Sequence, residues 1–315
     1  MISKHLISGV RRYAVLFAFA LLFVLFTILE PDKFFTLTNF KNILSSASIT
    51  VIVASGITVP LIMNDFDLSP VGAVAFSGAL AAAMQAYYDW PWEAAVGLAI
   101  LAGFVVGAVN GFLVAKLNAS SFVVTLATSS VLVGLGIAVQ KSRTIFQGFE
   151  DGYLNLGQSE VLGIRSPVLF ALGVVILLHG WMSYTVSGRR MLAVGENQAA
   201  ARILGMRVTS LRITGLLTSG TIAGFAGVLL FARSGSTYAN AGSPLLLPSF
   251  AAVFLGSALS GVSRFTVAGT AVAAVLLQMV STGLIINQVP SWSTNVFSGG
   301  VLAIAILLAP SGSRD

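Results

Sequence analysis

Cysteine is absent from the 315 residues, histidine occurs twice, and only 9% of positions are charged. The first absence excludes disulfide frameworks, thiolate metal sites and cysteine nucleophiles. The second leaves no neighbouring group of His, Asp and Glu for a metal: His5 lies near the N-terminus, and His179 reads as an interfacial or hydrogen-bonded residue near a span end. Soluble domains are nearer a quarter charged, so a soluble fold of this length could not cover its surface with so few ionic groups. Catalytic signatures are missing as well. There is no His-Glu-x-x-His or Gly-x-Ser-x-Gly, and Lys141-Ser142 follows Gln140 where a phosphate-binding loop needs glycine. These absences argue against an enzyme, a bound cofactor or a metal. What is present is 56% hydrophobic residues and 32 Gly, with a mean hydropathy of +0.93. That is the composition of closely packed helices in a bilayer. The net charge of +6 then concerns the two faces of a membrane rather than nucleic acid.

A bilayer core about 30 Å thick needs roughly 20 mostly apolar residues per helix. Such segments occur at Tyr13–Leu29, Ile43–Met63, Val71–Tyr87, Ala94–Ala115, Phe122–Val139, Val168–Met182, Ile213–Phe231, Leu245–Leu259, Thr266–Ile286 and Val296–Leu308. The first is followed by Glu30-Pro31-Asp32 rather than a small-residue cleavage site, so it reads as a retained span. Strict apolar–polar alternation is lacking, which argues against a barrel. The expectation is an all-α polytopic membrane protein with about ten helices, organised as one transmembrane domain over residues 1–315. If the N-terminus is cytoplasmic, that side carries Lys4, Arg11, Arg12, Lys116, Arg189, Arg190, Arg202, Arg207, Arg212, Arg264 and Arg314, eleven of the 17 Lys and Arg. The excess of positive residues favours this orientation, with both termini inside.

Polar groups within the spans are few, and nearly all are neutral. Carriers driven by protons or ions commonly bury titratable groups along their route, so uphill transport here would draw its energy from another subunit. Asn110, Thr125, Ser129 and Gln278 are candidate path residues, able to meet hydroxyl groups in passing or to bridge neighbouring helices. Gly103, Gly107 and Gly111 share one helix face, as do Gly220 and Gly224, a spacing that permits close crossing. Asn64-Asp65-Phe66-Asp67-Leu68-Ser69-Pro70 interrupts the apolar pattern. Ser69 suits an N-cap, Pro70 the first helical position, and Asp65 and Asp67 the positive helix end. The segment reads either as a capped turn or as a broken helix whose turn, at Asp67, Ser69 and Pro70, faces a cavity. Two loops exceed a turn. Lys141–Pro167 suits an outer cap or docking face. The inner loop, residues 187–212, carries five Arg, and within it Asn197 can cap a short alanine-rich helix that Gly205 ends. Such a helix could fit a groove on a partner, or the loop could rest on anionic headgroups.

That inner loop resembles the coupling loop of bacterial ABC sugar permeases of the ribose/xylose/arabinose type. The shared pattern is Gly188, Arg189, Ala193, Gly195, Asn197, Ala200, Ala201 and Gly205. Asp67-Leu68-Ser69 followed by Ser77-Gly78-Ala79-Leu80-Ala81-Ala82 is similar to a second signature of that family. Weaker matches continue in order through Ser219-Gly220, Ala226–Leu229, Ala251–Gly256 and Gly269-Thr270. The sequence departs from the family pattern at Asn64-Asp65, Val71, Ser249 and Leu259–Phe265, positions that bear on turn geometry and substrate rather than on the loop.

The resemblance implies an ABC importer permease fold, with Arg189, Gly195, Asn197, Ala200, Ala201, Arg202 and Gly205 in the part that meets the ATPase. It also implies a second permease subunit, identical or a sister, together with a cytoplasmic ABC ATPase and a periplasmic sugar-binding protein at a bacterial inner membrane. The expected function is ATP-driven import of a sugar or sugar-like polyol. The competing reading is a stand-alone carrier or facilitator for a small polar solute.

Overall fold

The computed structural model describes residues 2–260, 264–290 and 292–308, with side chains between residues 13 and 307 of those ranges. The charges at Lys4, Arg11, Arg12, Arg314 and Asp315, and His5, fall outside the described side chains. The chain forms α1 (Ile2–Leu29), α2 (Pro31–Phe34), α3 (Leu37–Ile62), α4 (Pro70–Tyr88) and α5 (Trp92–Gly111), which runs into a π-helical turn at Phe112–Lys116. It continues as α6 (Ser121–Val139), α7 (Asp151–Gln158), α8 (Ser166–Tyr184), α9 (Val186–Glu196), α10 (Gln198–Ile203) and α11 (Val208–Ser234). A 3-10 turn at Ser243–Leu245 leads into α12 (Leu246–Leu259), followed by α13 (Val267–Ile286) and α14 (Trp292–Leu308). Between α7 and α8 a two-residue hairpin, β1 (Glu160–Val161) and β2 (Ile164–Arg165), pairs antiparallel with Glu160 opposite Arg165.

Among the described residues, seven helices are long and apolar enough to cross a bilayer: α3, α4, α5 with its π turn, α6, α8, α11 and α13. Three shorter apolar stretches, Tyr13–Leu29, Ser243–Leu259 and Trp292–Leu307, complete the ten segments read from the sequence. Burial sorts them. The α3 window is 89% buried and that of α6 only 22%, so α3 is a central element and α6 lies at the margin. The main core joins α3, α11, α12 and α13 through Ile52, Ile57, Leu229, Phe254, Leu277 and Val280.

α5 and α11 cross closely, and glycine makes that possible. A Cβ on Gly107 would lie 2.5 Å from Leu216 O, and one on Gly103 would strike Gly220 O. Both rows read from the sequence therefore meet each other within the chain, where small residues let backbones touch.

The connections divide between two ends of the bundle. At one end, residues 63–69 meet the loop before α11, and Glu196 pairs with Arg264. At the other, Trp92 N donates to Glu150 Oε1 and Ile145 N to Thr237 Oγ1. This is the same division of loops that the charge count assumed. The long loop after α6 is more structured than expected. α7 folds because Tyr153 inserts completely and donates to Val228 O at 3.2 Å. Burial also pushes its hydroxyl well above the usual phenol range.

Candidate functional site

The connection between α8 and α11 holds two helices where the sequence suggested one. Thr185 caps α9 by accepting from Gly188 N at 3.1 Å. Asn197 ends α9 in an extended conformation (φ −158°) and caps α10, its Oδ1 accepting from Ala200 N at 2.9 Å. Gly205 takes φ +75°, the left-handed conformation that closes helices and suits glycine. Ala201 turns inward, whereas Ala199, Ala200, Arg202, Ile203 and Leu204 face out. Ile203 is 87% and Leu204 74% exposed. The outer surface of α10 is therefore an apolar tip beside Arg202, rather than a smooth alanine face with a polar rim. Arg189 and Arg190 are exposed nearby, and Arg189 Nη1 donates to Tyr184 O at 3.3 Å.

What fixes the two short helices to the bundle is a small core of its own. Met191, Val194 and Ala201 pack with Val59, Ile62, Met63, Leu178, Met182 and Val208. Gly195 lies flat against the end of α3, where an added Cβ would collide with Ile62 O. Its requirement for glycine is thus one of close backbone approach. Glu196 also meets Arg264 at 2.9 Å, but that pair is exposed and contributes little.

The end of α3 is closed by a Schellman arrangement. Asn64 N donates to Leu61 O and Asp65 N to Pro60 O, with Asn64 in the left-handed conformation (φ 65°) that asparagine tolerates. From this corner the Asn64 side chain reaches back to Gly195 O at 2.9 Å, and Gln198 Nε2 donates to Met63 O at 3.2 Å. Asp65 receives a two-pronged ion pair from Arg212, Nε to Oδ2 at 2.7 Å and Nη2 to Oδ1 at 2.6 Å. Only 3% of the Asp65 side chain and 13% of that of Arg212 remain exposed. Planar forks of this kind fix orientation as well as charge.

Beyond the corner residues 65–68 form no regular element, and burial alternates along the chain. Asp65, Asp67 and Ser69 are buried, whereas Asn64 and Phe66 are exposed and Leu68 is half-buried. This irregular backbone forgoes helical hydrogen bonds, and α6 supplies partners from one face. Phe66 N donates to Ser121 Oγ at 3.2 Å, Leu68 N to Thr125 Oγ1 at 3.0 Å and Gly72 N to Ser129 Oγ at 3.1 Å. The three hydroxyls stand four residues apart, one helical turn each. Irregular backbone packed among helices is tolerated under just this condition.

The structure corrects the details of the break. Ser69 occupies the position before α4, yet its side chain makes no cap. It turns back instead, and both its N and Oγ donate to Asp67 Oδ1, at 3.0 and 2.6 Å. Pro70 does open α4. Asp65 answers Arg212 rather than the helix end. Asp67 Oδ2 and the neighbouring Ser219 Oγ of α11 are both buried, close enough to interact but without a well-formed hydrogen bond.

The path candidates separate. Thr125 and Ser129 hold the break. Asn110 is buried, its Oδ1 accepting from Thr128 Oγ1 at 2.7 Å to join α5 to α6. Gln278 lies apart on α13 and reaches Thr282 at 3.3 Å. These residues are not gathered at one place. Sequence reasoning missed Asn64, Gln198 and the Asp65–Arg212 pair as a cluster. Two adjacent polar residues just past a long apolar run, with Arg early in a later one, were the available signal. Among the described residues no group of His, Asp and Glu could hold a metal ion.

The family described as branched-chain amino acid transport system / permease component matches residues 39–306. The chain is 30% identical over 299 residues to the ribose import permease protein RbsC of Escherichia coli K12, covering 93% of this chain and 92% of that one. It is 30% identical to the L-arabinose ABC transporter permease protein AraH of Azospirillum brasilense (95% and 87% covered). It is 27% identical to the D-allose transport system permease protein AlsC of Escherichia coli K12 (94% and 91% covered). A solved structure described as an inward-facing conformation of a metal-chelate type ABC transporter superposes with a TM-score of 0.53 at 15% identity, covering 94% of this chain and 99% of the other. At that identity the likeness concerns the fold.

Proposed function

The chain belongs to the branched-chain amino acid transport system / permease component family, and from that premise we propose that it is the membrane-spanning subunit of an ATP-driven importer for a monosaccharide or a similar polyol. The sugar class is taken from the ribose, arabinose and allose permeases it resembles over nearly its whole length. Relatives of this kind favour an ABC permease over a stand-alone carrier, and hydrolysis of ATP falls to a separate subunit. We read residues 1–315 as one transmembrane unit in a bacterial inner membrane. Both termini and α10 are then cytoplasmic, on the side richer in Lys and Arg. A second permease subunit, the same chain or a sister, completes the route, and a periplasmic sugar-binding protein delivers the substrate.

The single observation that carries the coupling role is the exposed tip of α10. Ala200, Arg202, Ile203 and Leu204 form a protruding surface, while Gly195, Asn197, Ala201 and Gly205 build and seat the helix behind it. Burying apolar side chains at such a tip is how a partner gains a grip. ATP-driven closure of the partner would move α10, and α10 would move the helices attached to it.

Replacing Ala200, exposed and without a packing role, by Trp tests this. The expected result is a properly inserted permease that no longer co-purifies with its ATPase and loses uptake of D-ribose, L-arabinose and D-allose. Unchanged assembly and uptake would remove the coupling role. Sugar flux in liposomes containing this chain alone, without nucleotide, would favour a facilitator.

A further inference from the structure

We propose that the corner at Met63–Asp65 is the joint through which movement of α10 reaches the interior of the bundle, with Asn64, Asp65, Gln198 and Arg212 as positioning residues for transport. The inference rests on α10 being the ATPase contact and adds the route by which its motion is passed on.

Three features converge on this corner. First, both helices of the loop are tied to it, on either side of the Asn197 cap. Asn64 Nδ2 binds Gly195 O of α9, two residues before Asn197, and Gln198 Nε2 of α10, one residue after it, binds Met63 O. A shift of α10 therefore pulls on residue 63 directly and, through α9, on residue 64. Second, Arg212 of α11 grips the next residue through two short, nearly buried hydrogen bonds to Asp65. The corner is thus held between α10 and α11 and takes up any displacement of one against the other. The two-pronged pair fixes the guanidinium against the carboxylate, so a displacement of α11 is carried to Asp65.

Third, the chain that leaves the corner is built to shift. Residues 65–68 form no regular element, and the amides of Phe66 and Leu68 rest on the rotatable hydroxyls of Ser121 and Thr125 rather than on a backbone ladder. On the inner face, Asp67 Oδ2 and Ser219 Oγ hold hydrogen-bonding capacity in reserve. A small displacement along α11 would satisfy it. On the outer face, Phe66 and Leu68 border an apolar groove of about 210 Å³ with Phe122, Phe250 and Phe254, which leaves their side chains room. A pull at Asp65 would then slide Phe66–Ser69 along α6 and carry the first turn of α4 with it. Packed elements that change position do so between discrete arrangements of this kind.

The chain has no native cysteine, so one introduced thiol reports alone. Phe66→Cys in the complete complex is labelled with a maleimide before and after trapping the ATPase with ATP and vanadate. The expected result is a labelling rate that changes several-fold on trapping. Adding Asp65→Asn, or Asn64→Gly, which keeps the left-handed turn and removes only the side-chain link, should abolish that change. The ATPase should still co-purify and hydrolyse ATP. The exchanged pair, Asp65→Arg with Arg212→Asp, should restore at least part of the response. A response to trapping that persists in Asp65→Asn and Asn64→Gly overturns the joint. So does loss of assembly in both variants without recovery in the exchanged pair, because the residues then serve only to fold the loop. Failure of the ATPase to co-purify with the unmodified chain overturns the underlying reading of α10 as well.

Discussion

The α5–α11 crossing and the corner after α3 are both contacts between distant parts of the chain, but they are built from opposite materials. At the crossing, Gly103 and Gly107 press against the backbone of Gly220 and Leu216, with no side chain between them. At the corner, beside the one backbone approach of Gly195 to Ile62 O, side-chain amides, a carboxylate and a guanidinium make the contact, and the chain beyond it hangs on hydroxyls. Backbone-to-backbone packing weakens steeply if the helices separate by a fraction of an ångström. Polar side chains can follow a partner by rotation and keep their bonds. The first contact is a fixed frame, and the second is a place where the molecule can change shape.

The largest effect should come from breaking the frame. Gly107→Leu forces a branched side chain into backbone that cannot yield, at a cost of about 3 kcal/mol or more. The chain is expected not to accumulate in membranes, as judged by fluorescence-detected size exclusion in detergent. Normal accumulation would mean that the crossing is looser than its geometry says.

Next in size is the same kind of insult at the corner. Gly195→Val drives a side chain into Ile62 O, yet the site lies on a small satellite core rather than the main one. The protein should insert and migrate normally while α9 and α10 detach, with ATPase co-purification falling at least tenfold. If Gly195→Val fails to accumulate as Gly107→Leu does, the distinction between frame and joint disappears.

A smaller change sharpens the contrast. Thr125→Val keeps shape but leaves the half-buried Leu68 N without its acceptor, a loss of roughly 1–3 kcal/mol. The melting temperature in detergent should drop by a few degrees, more than for Thr218→Val on α11. Thr218 donates only to its own helix, at Thr214 O. The smallest expected effect is Asn197→Ala, which removes one cap at about 1 kcal/mol. Faster hydrogen exchange should then be confined to α10.

The spans were legible because hydropathy alone writes them: all ten predicted segments fall on apolar helices, and both glycine rows met where four-residue spacing allows. The caps at Asn197 and Gly205 were legible for the same reason, since each is a local preference. The corner was not. Asp65 and Arg212 are 147 positions apart, and nothing local indicates that one carboxylate answers a distant arginine instead of the helix beside it. Ser69 shows the same limit. Its residue type suits a cap, but Asp67 two positions earlier offers a stronger acceptor. Thr125 and Ser129 read as possible path residues because hydroxyls in a span have several uses. Only the irregular backbone beside them reveals which one is in force.

The claim beneath both the proposed function and the joint is that α10 is a cytoplasmic handle gripped by an outside motor. Ala200→Cys, a single thiol in a chain that has none, tests it most directly. A membrane-impermeant maleimide should label it in inside-out vesicles and not in spheroplasts, and bound ATPase should protect it. Labelling from the outer side, or equal labelling with and without the ATPase, would contradict the account.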